Sequence, residues 1–204
     1  MKKEMTIVYR YNTNLYINLT NRCSSSCVFC LRQTRDRMDD SGSLWLEHEP
    51  TFEEVKQALL NVNMDEYDEV VFCGFGEPTE AFDVLLQVAD FIKEKWNKPT
   101  RLNTNGQGNL INGRDITPDL KGRIDTVSIS LNNPDPVKYQ EIVRSIYGVE
   151  SFDAMLQFAK SAGKYVGKVI LSTVDTTISH EEEDECRKIC EELGVTYKIR
   201  AYEE

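Results

Sequence analysis

Hydrophobic and polar positions in this chain switch repeatedly between a period of two and a period near 3.6. Residues 15–20 alternate, with Leu15, Ile17 and Leu19 on one face and Asn18 and Thr20 on the other. That is the pattern of a strand with one buried side. Residues 51–62 take helical spacing, with Val55, Leu59 and Val62 on one face and Thr51 and Glu54 forming a capping box. A short strand over 69–72 follows, then a helix over 81–96 striped by Phe82, Leu85, Leu86, Ala89, Ile92 and Trp96. Strands are expected at 100–104 and 126–131. Asp135 caps a helix with Pro136 in its first turn, running to about 144. A helix over 151–166 carries the stripe Phe152, Met155, Leu156, Ala159 and Val166. A strand at 168–174, a helix opened by Ser179 and Glu182 and ended by Gly194, and a strand at 196–201 complete the series.

Strands and helices alternating at this spacing predict parallel strands with helical crossovers. Six strands in 204 residues are too few for a closed eightfold barrel, which takes roughly 250 residues. The expected fold is α/β, an open partial (β/α)6 barrel with its helices outside, forming a single domain over 1–204. A doubly wound sheet is the alternative. Polar positions favour the barrel. Strands buried on both faces read as continuous apolar runs. Here Arg101 and Asn103, Ser128 and Ser130, and Lys198 and Arg200 each share a face opposite apolar neighbours. A polar inner face needs hydrogen-bonding partners, and a large polar ligand with water inside an open barrel would supply them. A plain sheet tolerating a few polar residues is the blander reading.

Composition narrows the class. With 40% hydrophobic and 28% charged residues the chain reads as globular. No apolar run is long enough to span a bilayer, and residues 1–10 lack the apolar core of a secretion signal. No membrane association and a cytoplasmic location are expected. In that compartment six cysteines suggest metal ligands and buried thiols rather than disulfides. A net charge of −10 argues against nucleic acid as the main partner, since such binders show a basic face. Arg32, Arg35 and Arg37 form only a small basic cluster before Asp39 and Asp40.

Three cysteines carry the strongest chemical signal. Cys23, Cys27 and Cys30 are spaced C-x3-C-x2-C with no fourth cysteine nearby. A structural zinc site takes four protein ligands, and an electron-transfer [4Fe–4S] cluster takes four thiolates. Three thiolates on a four-iron cube leave one iron open to an outside ligand. A zinc site completed by His48 or Cys73 is the competing arrangement.

Further segments stand at the ends of expected strands. They are Cys73-Gly74-Phe75-Gly76-Glu77-Pro78, Asn103-Thr104-Asn105-Gly106, and Ser128-Ile129-Ser130-Leu131-Asn132. With the cysteine triad and the aromatic Phe29 before its third member, they resemble the radical S-adenosylmethionine (SAM) enzymes over roughly residues 15–202. The resemblance implies a [4Fe–4S] cluster on Cys23, Cys27 and Cys30, with SAM chelating the open iron. It also implies reductive cleavage of SAM to a 5′-deoxyadenosyl radical that abstracts hydrogen from a substrate. By the same likeness Phe29 touches the adenine, Gly74, Phe75, Gly76 and Glu77 form the segment that holds the methionyl amino group, and Ser130 contacts SAM. Asn105 and Asn132 are helpers. Phe75 departs from the family pattern, which has glycine there, and Asn132 stands where aspartate is common. The segments 44–50, 72–78 and 101–111 look like a branch associated with TatD-type hydrolases.

The implied partners are a small polar substrate or a residue on another protein, and an external electron donor of flavodoxin or ferredoxin type. A non-catalytic cluster protein, sensing or carrying electrons, is the alternative function. Other residues have less chemistry in them. Cys186 and Cys190 share a helical stripe with Ile189 and Leu193 and read as buried thiols. His180 reads as solvent-facing. Residues 31–50 form a long loop, of the kind that is often a functional lid, in which Arg32, Arg35, Arg37 and Trp45 are candidate substrate contacts. Residues 103–115, with Arg114 and Asp115, are expected as a polar lip for substrate.

Overall fold

One seven-stranded sheet, in which spatial order equals chain order, carries the site. Its strands are β1 (Val8–Tyr11), β2 (Asn14–Ile17), β3 (Val70–Phe72), β4 (Thr100–Thr104), β5 (Thr126–Ser130), β6 (Lys168–Val174) and β7 (Thr196–Arg200). The computed structural model describes residues 3–202. Met1, Lys2, Glu203 and Glu204, the ends of the expected domain span, lie outside them. From β2 to β7 every pairing is parallel. The crossovers use α1 (Phe52–Leu60), α2 (Phe82–Trp96), α3 (Gly108–Asn112), α4 (Pro136–Val143), α5 (Glu150–Ala162) and α6 (His180–Leu193). The sheet curls without closing, so the expected open barrel is found.

Two elements were not legible. β1 pairs antiparallel with β2, Val8 facing Ile17 and Tyr11 facing Asn14, so the sheet has seven strands instead of six. The joining residue Asn12 has a φ of 52°, which asparagine tolerates in a tight turn. Helix α3 is a short turn of Gly, Asn, Leu and Ile, a composition that reads as loop.

Side chains on the outer face of the strands make the core. Leu15, Ile17, Val70, Phe72, Leu102, Val127, Ile129 and Leu171 bury against Leu85, Ile92, Met155 and Phe158 of the helices. Each such side chain contributes about 1.5–3 kcal/mol on burial. Cys186 and Cys190 belong to this core, as their spacing predicts. The inner face instead has a small apolar cluster of Tyr9, Met38, Leu44 and Phe75, flanked by Tyr16 and Trp45.

Residues 31–50 are a fixed cover over that cluster. Asn18 Nδ2 donates to the Leu44 carbonyl at 2.8 Å, and Asn21 exchanges two hydrogen bonds with the backbone of Leu46 at 2.8 and 3.0 Å. Leu44 and Leu46 are fully buried. Among the described residues no helix is long and apolar enough to cross a membrane.

Candidate active site

The cysteine loop leaves β2 and is pinned on two sides. Ser26 and Val28 donate backbone hydrogen bonds to Val143 and Ile142 at the end of α4, and Ile146 donates to Ser24. On the other side Gln107, fully buried, accepts from Ser24 Oγ and Ser145 Oγ at 2.9 Å each and donates to Ser25 Oγ at 3.2 Å. Asn105 Nδ2 donates to Ser24 Oγ at 3.0 Å. The loop conformation is therefore held by hydroxyl and amide groups, with the cysteines left over. All three are free and partly exposed.

Their electrostatics suit a ligand role. Burial, then the negative charge of Glu77, raises the Cys23 thiol to about 11. Burial, then Cys30 and Cys23, raises Cys27 to about 12. Without a cation the thiolates are disfavoured. A bound metal core inverts that balance and deprotonates its thiols outright.

Glu77 sits behind the loop. Its carboxylate accepts from Thr79 N (3.1 Å), Thr79 Oγ1 (2.8 Å), Thr104 Oγ1 (2.7 Å) and Asn105 N (2.7 Å). Burial pushes this carboxyl above its ordinary value, opposed by those four donors. Glu77 thus ties the end of β3 to the end of β4. The two glycines of the segment are required by neighbouring chain. A Cβ on Gly74 would lie 2.0 Å from Asn18 Oδ1, and one on Gly76 would lie 2.2 Å from the Thr20 carbonyl. The close approach is between β3 and the exit of β2, where the cysteine loop begins.

A cavity of about 620 Å³ opens over the inner face of the sheet, within the size range of small-molecule sites. Of the expected residues, Cys27, Cys30, Phe29, Gly74, Phe75, Ser130 and Asn132 line it. Cys23, Gly76, Glu77 and Asn105 stand behind that wall. Phe75 packs edge-on against Trp45, ring centroids 5.4 Å apart. Arg32 spans the wall, donating to the carbonyls of Ser25 (3.2 Å), Phe75 (3.4 Å) and Asn21 (3.5 Å). Asn132 adopts a φ of 62° at the end of β5, buried, with Oδ1 lacking a partner. Asn103 Oδ1 and Arg101 Nε, also facing the cavity, lack partners too. Buried polar atoms of this kind cost stability until a polar ligand or water meets them.

Other expected residues fall elsewhere. The half-exposed His48 ring bonds Glu54 Oε1 at 2.8 Å, so it completes no zinc site with the cysteines. Among the described residues no three His, Cys, Asp or Glu side chains surround a single ion. Arg114 pairs with Asp119 at 2.7 Å on the outer surface, and Asp115 caps the following turn through Thr117. The 109–115 end of the stretch is thus tied up in turn and surface contacts, while at its other end Asn103 lines the cavity. The buried member of the stretch, Gln107, was missed, because a single Gln beside glycines carries no spacing signal. His180 is exposed and bonds Glu183.

The residues fit the implied cofactors. Three free thiols share one loop, two of them open onto a ligand-sized cavity, and orphaned polar atoms face into it. Known proteins agree. A probable GTP 3′,8-cyclase of Thermococcus kodakarensis is 30% identical over 162 residues, covering 78% of this chain and 47% of that protein. One from Methanococcus maripaludis is 26% identical over 176 residues, covering 85% of this chain and 54% of that protein. The chain thus spans about half the length of these curated relatives. The crystal structure of Streptococcus suis SuiB bound to SAM superposes with a TM-score of 0.70 at 21% identity, over 95% of this chain and 41% of that one. The family model of the Radical SAM superfamily, whose cofactors are a [4Fe–4S] cluster and SAM, matches residues 17–193, and the chain belongs to that superfamily.

Proposed function

We propose that this chain is a radical SAM enzyme whose cluster is held by Cys23, Cys27 and Cys30 and whose reaction chamber is the cavity over the inner sheet face. The observation that carries this reading is that Cys27, Phe29 and Cys30 border the same cavity as Gly74, Ser130 and Asn132. When bound, the two cofactors supply a carbon-centred radical that removes hydrogen from substrate. The chain's own residues position and shield. Phe29, Gly74, Phe75, Ser130 and Asn132 form the SAM-binding wall, with Gly76 directly behind it. Glu77 and Asn105 brace it from behind, through the hydrogen bonds to β4 and Ser24. Trp45, Leu44 and Met38 of the cover limit water entry beside Phe75. An external one-electron donor of flavodoxin or ferredoxin type is required. The names of the curated relatives make GTP the first substrate to test. The likeness to the TatD-associated branch rests on segments 44–50, 72–78 and 101–111 and carries no substrate.

Anaerobically reconstituted protein mixed with SAM and dithionite should release 5′-deoxyadenosine. Cys23→Ala should lose both iron and that release. Unchanged iron content in Cys23→Ala would refute the ligand assignment. One observation favours a second reading, a cluster protein that does not cleave SAM. Phe75 fills the cavity wall where the family has glycine. An intact cluster with no 5′-deoxyadenosine under several reductants is the outcome that reading requires.

A further inference from the structure

The polar inner face continues well past the cysteine loop. On β7, Lys198 and Arg200 pair in register with Ser172 and Val174 of β6 and point to the inner face, two residues apart. On β4, Arg101 occupies the same face. All three line the cavity, and Arg32 adds a fourth cation at the cysteine side. Among the described residues that line it there is no carboxylate. This is unexpected in a chain of net charge −10.

Arg101 and Arg200 come from strands at different sides of the cavity, yet both line it together with Cys73. Arg101 forms an ion pair with Glu69 at 3.0 Å, outside the lining, and its Nε has no hydrogen-bond partner. Lys198 reaches the cavity with no acidic partner among the described residues. The cofactors add little net charge of their own. Three thiolates on a resting cluster and a sulfonium amino acid nearly cancel. On the opposite edge of the open sheet, Tyr9, Tyr11 and Tyr16 form an uncharged aromatic wall.

We propose that Arg101, Lys198 and Arg200 form an oxyanion subsite that holds a phosphate or carboxylate group of the substrate on the β7 side of the cavity. The proposal deepens the reading above and relies on it for the cavity's role as reaction chamber. Arginine forks suit both oxyanions bidentately, while lysine adds an adaptable point charge. In a concave site with low-dielectric walls, cations on the lining also draw anions from bulk solvent. The substrate class is then a small multivalent organic anion.

The test is calorimetric titration of anaerobic, cluster-loaded, SAM-saturated protein with inorganic pyrophosphate and, separately, succinate. Binding of at least one probe is expected, weakening as salt rises. Lys198→Gln, at an exposed position that tolerates the change, should weaken it about tenfold, and Lys198→Gln/Arg200→Gln should abolish it. Lys160→Gln, in the separate basic hollow beside Lys164 and Lys168 at the other end of the sheet, should leave it unchanged. Preference for pyrophosphate identifies a phosphate subsite, and preference for succinate a carboxylate subsite. Absence of binding by both probes, indifference to the Lys198 and Arg200 changes, or loss on Lys160→Gln overturns the proposal. Release of 5′-deoxyadenosine is measured separately, so the enzyme reading stands or falls on its own.

Discussion

The side-chain oxygen of Gln107 accepts a 2.9 Å hydrogen bond from Ser24, the residue directly after the first cysteine of the triad. The same oxygen accepts from Ser145, and the Gln107 amide nitrogen donates to Ser25. One buried side chain thus holds three hydroxyls from two separate loops. Gln107→Leu keeps the volume nearly constant and strands those hydroxyls. Unfolding in urea should show a loss of about 2–4 kcal/mol, the cost of several unmet buried groups. Iron bound per chain after reconstitution should fall as well. A stability change under about 0.5 kcal/mol would remove Gln107 from this role.

Gly76 is expected to be intolerant of even one carbon. A Cβ there would meet the carbonyls of Thr20 and Arg22 at 2.2 and 2.6 Å, and backbone cannot rotate away as a side-chain tip can. The Glu77 N–H also donates to Arg22 at 2.8 Å, so the two segments would have to part. Gly76→Ala should cost about 3 kcal/mol or more, read by urea unfolding, and should lower cluster occupancy. Gly113→Ala is the comparison. Its Cβ meets nothing within 4 Å, but its φ of 64° leaves it only the backbone penalty of about 1 kcal/mol.

Trp45 and Phe75 should be energetically coupled. Their edge-on contact at 5.4 Å joins the cover loop to the segment where the family glycine is replaced. A double-mutant cycle with Trp45→Ala and Phe75→Ala should return about 0.5–1.5 kcal/mol of interaction. A value near zero would mean that the aromatic contact does not help to hold the cover, leaving that to its hydrogen bonds, such as those from Asn18 and Asn21.

The sequence made the outer face of the sheet legible, because each helical stripe and each alternating strand reports burial directly. Strand 100–104 and strand 168–174 were placed to the residue. β1 was not, although Val8-Tyr9-Arg10-Tyr11 is made of strand-favouring residues, because four residues are too few for a period of two to stand out. The site was legible where spacing is short-range, as in the cysteine triad and the glycine segment. It was illegible where partners lie far apart in sequence. Gln107 meets Ser24 across 83 residues, and Arg101 and Arg200 share one cavity only once the sheet has curled. Arg114 misled for the converse reason. A polar residue beside a site-bearing segment reads as functional until its ion pair with Asp119 is seen.

The base of α6 gives a prediction in pH. Glu182 closes the capping box on Ser179, and its other oxygen accepts from Lys138 at 2.7 Å and from Asn133 at 3.2 Å. Asn133 adjoins Asn132 of the cavity wall, so this carboxylate fastens α6 to the end of β5. The Lys138 ammonium, then the Ser179 N–H, lower its pKa from 4.5 to about 2. A depressed carboxyl binds fewer protons folded than unfolded. Its contribution is therefore complete above about 4.5 and is lost as pH falls through about 2. Glu182→Gln should be less stable by about 1 kcal/mol near neutrality, a figure held low because the partner Lys138 is solvated. The gap between the two proteins should narrow steadily as unfolding is repeated at lower pH and should close near the bottom of that window. A gap that stays constant with pH would assign the effect to packing at the helix start, and a gap that widens in acid would reverse the sign argued here.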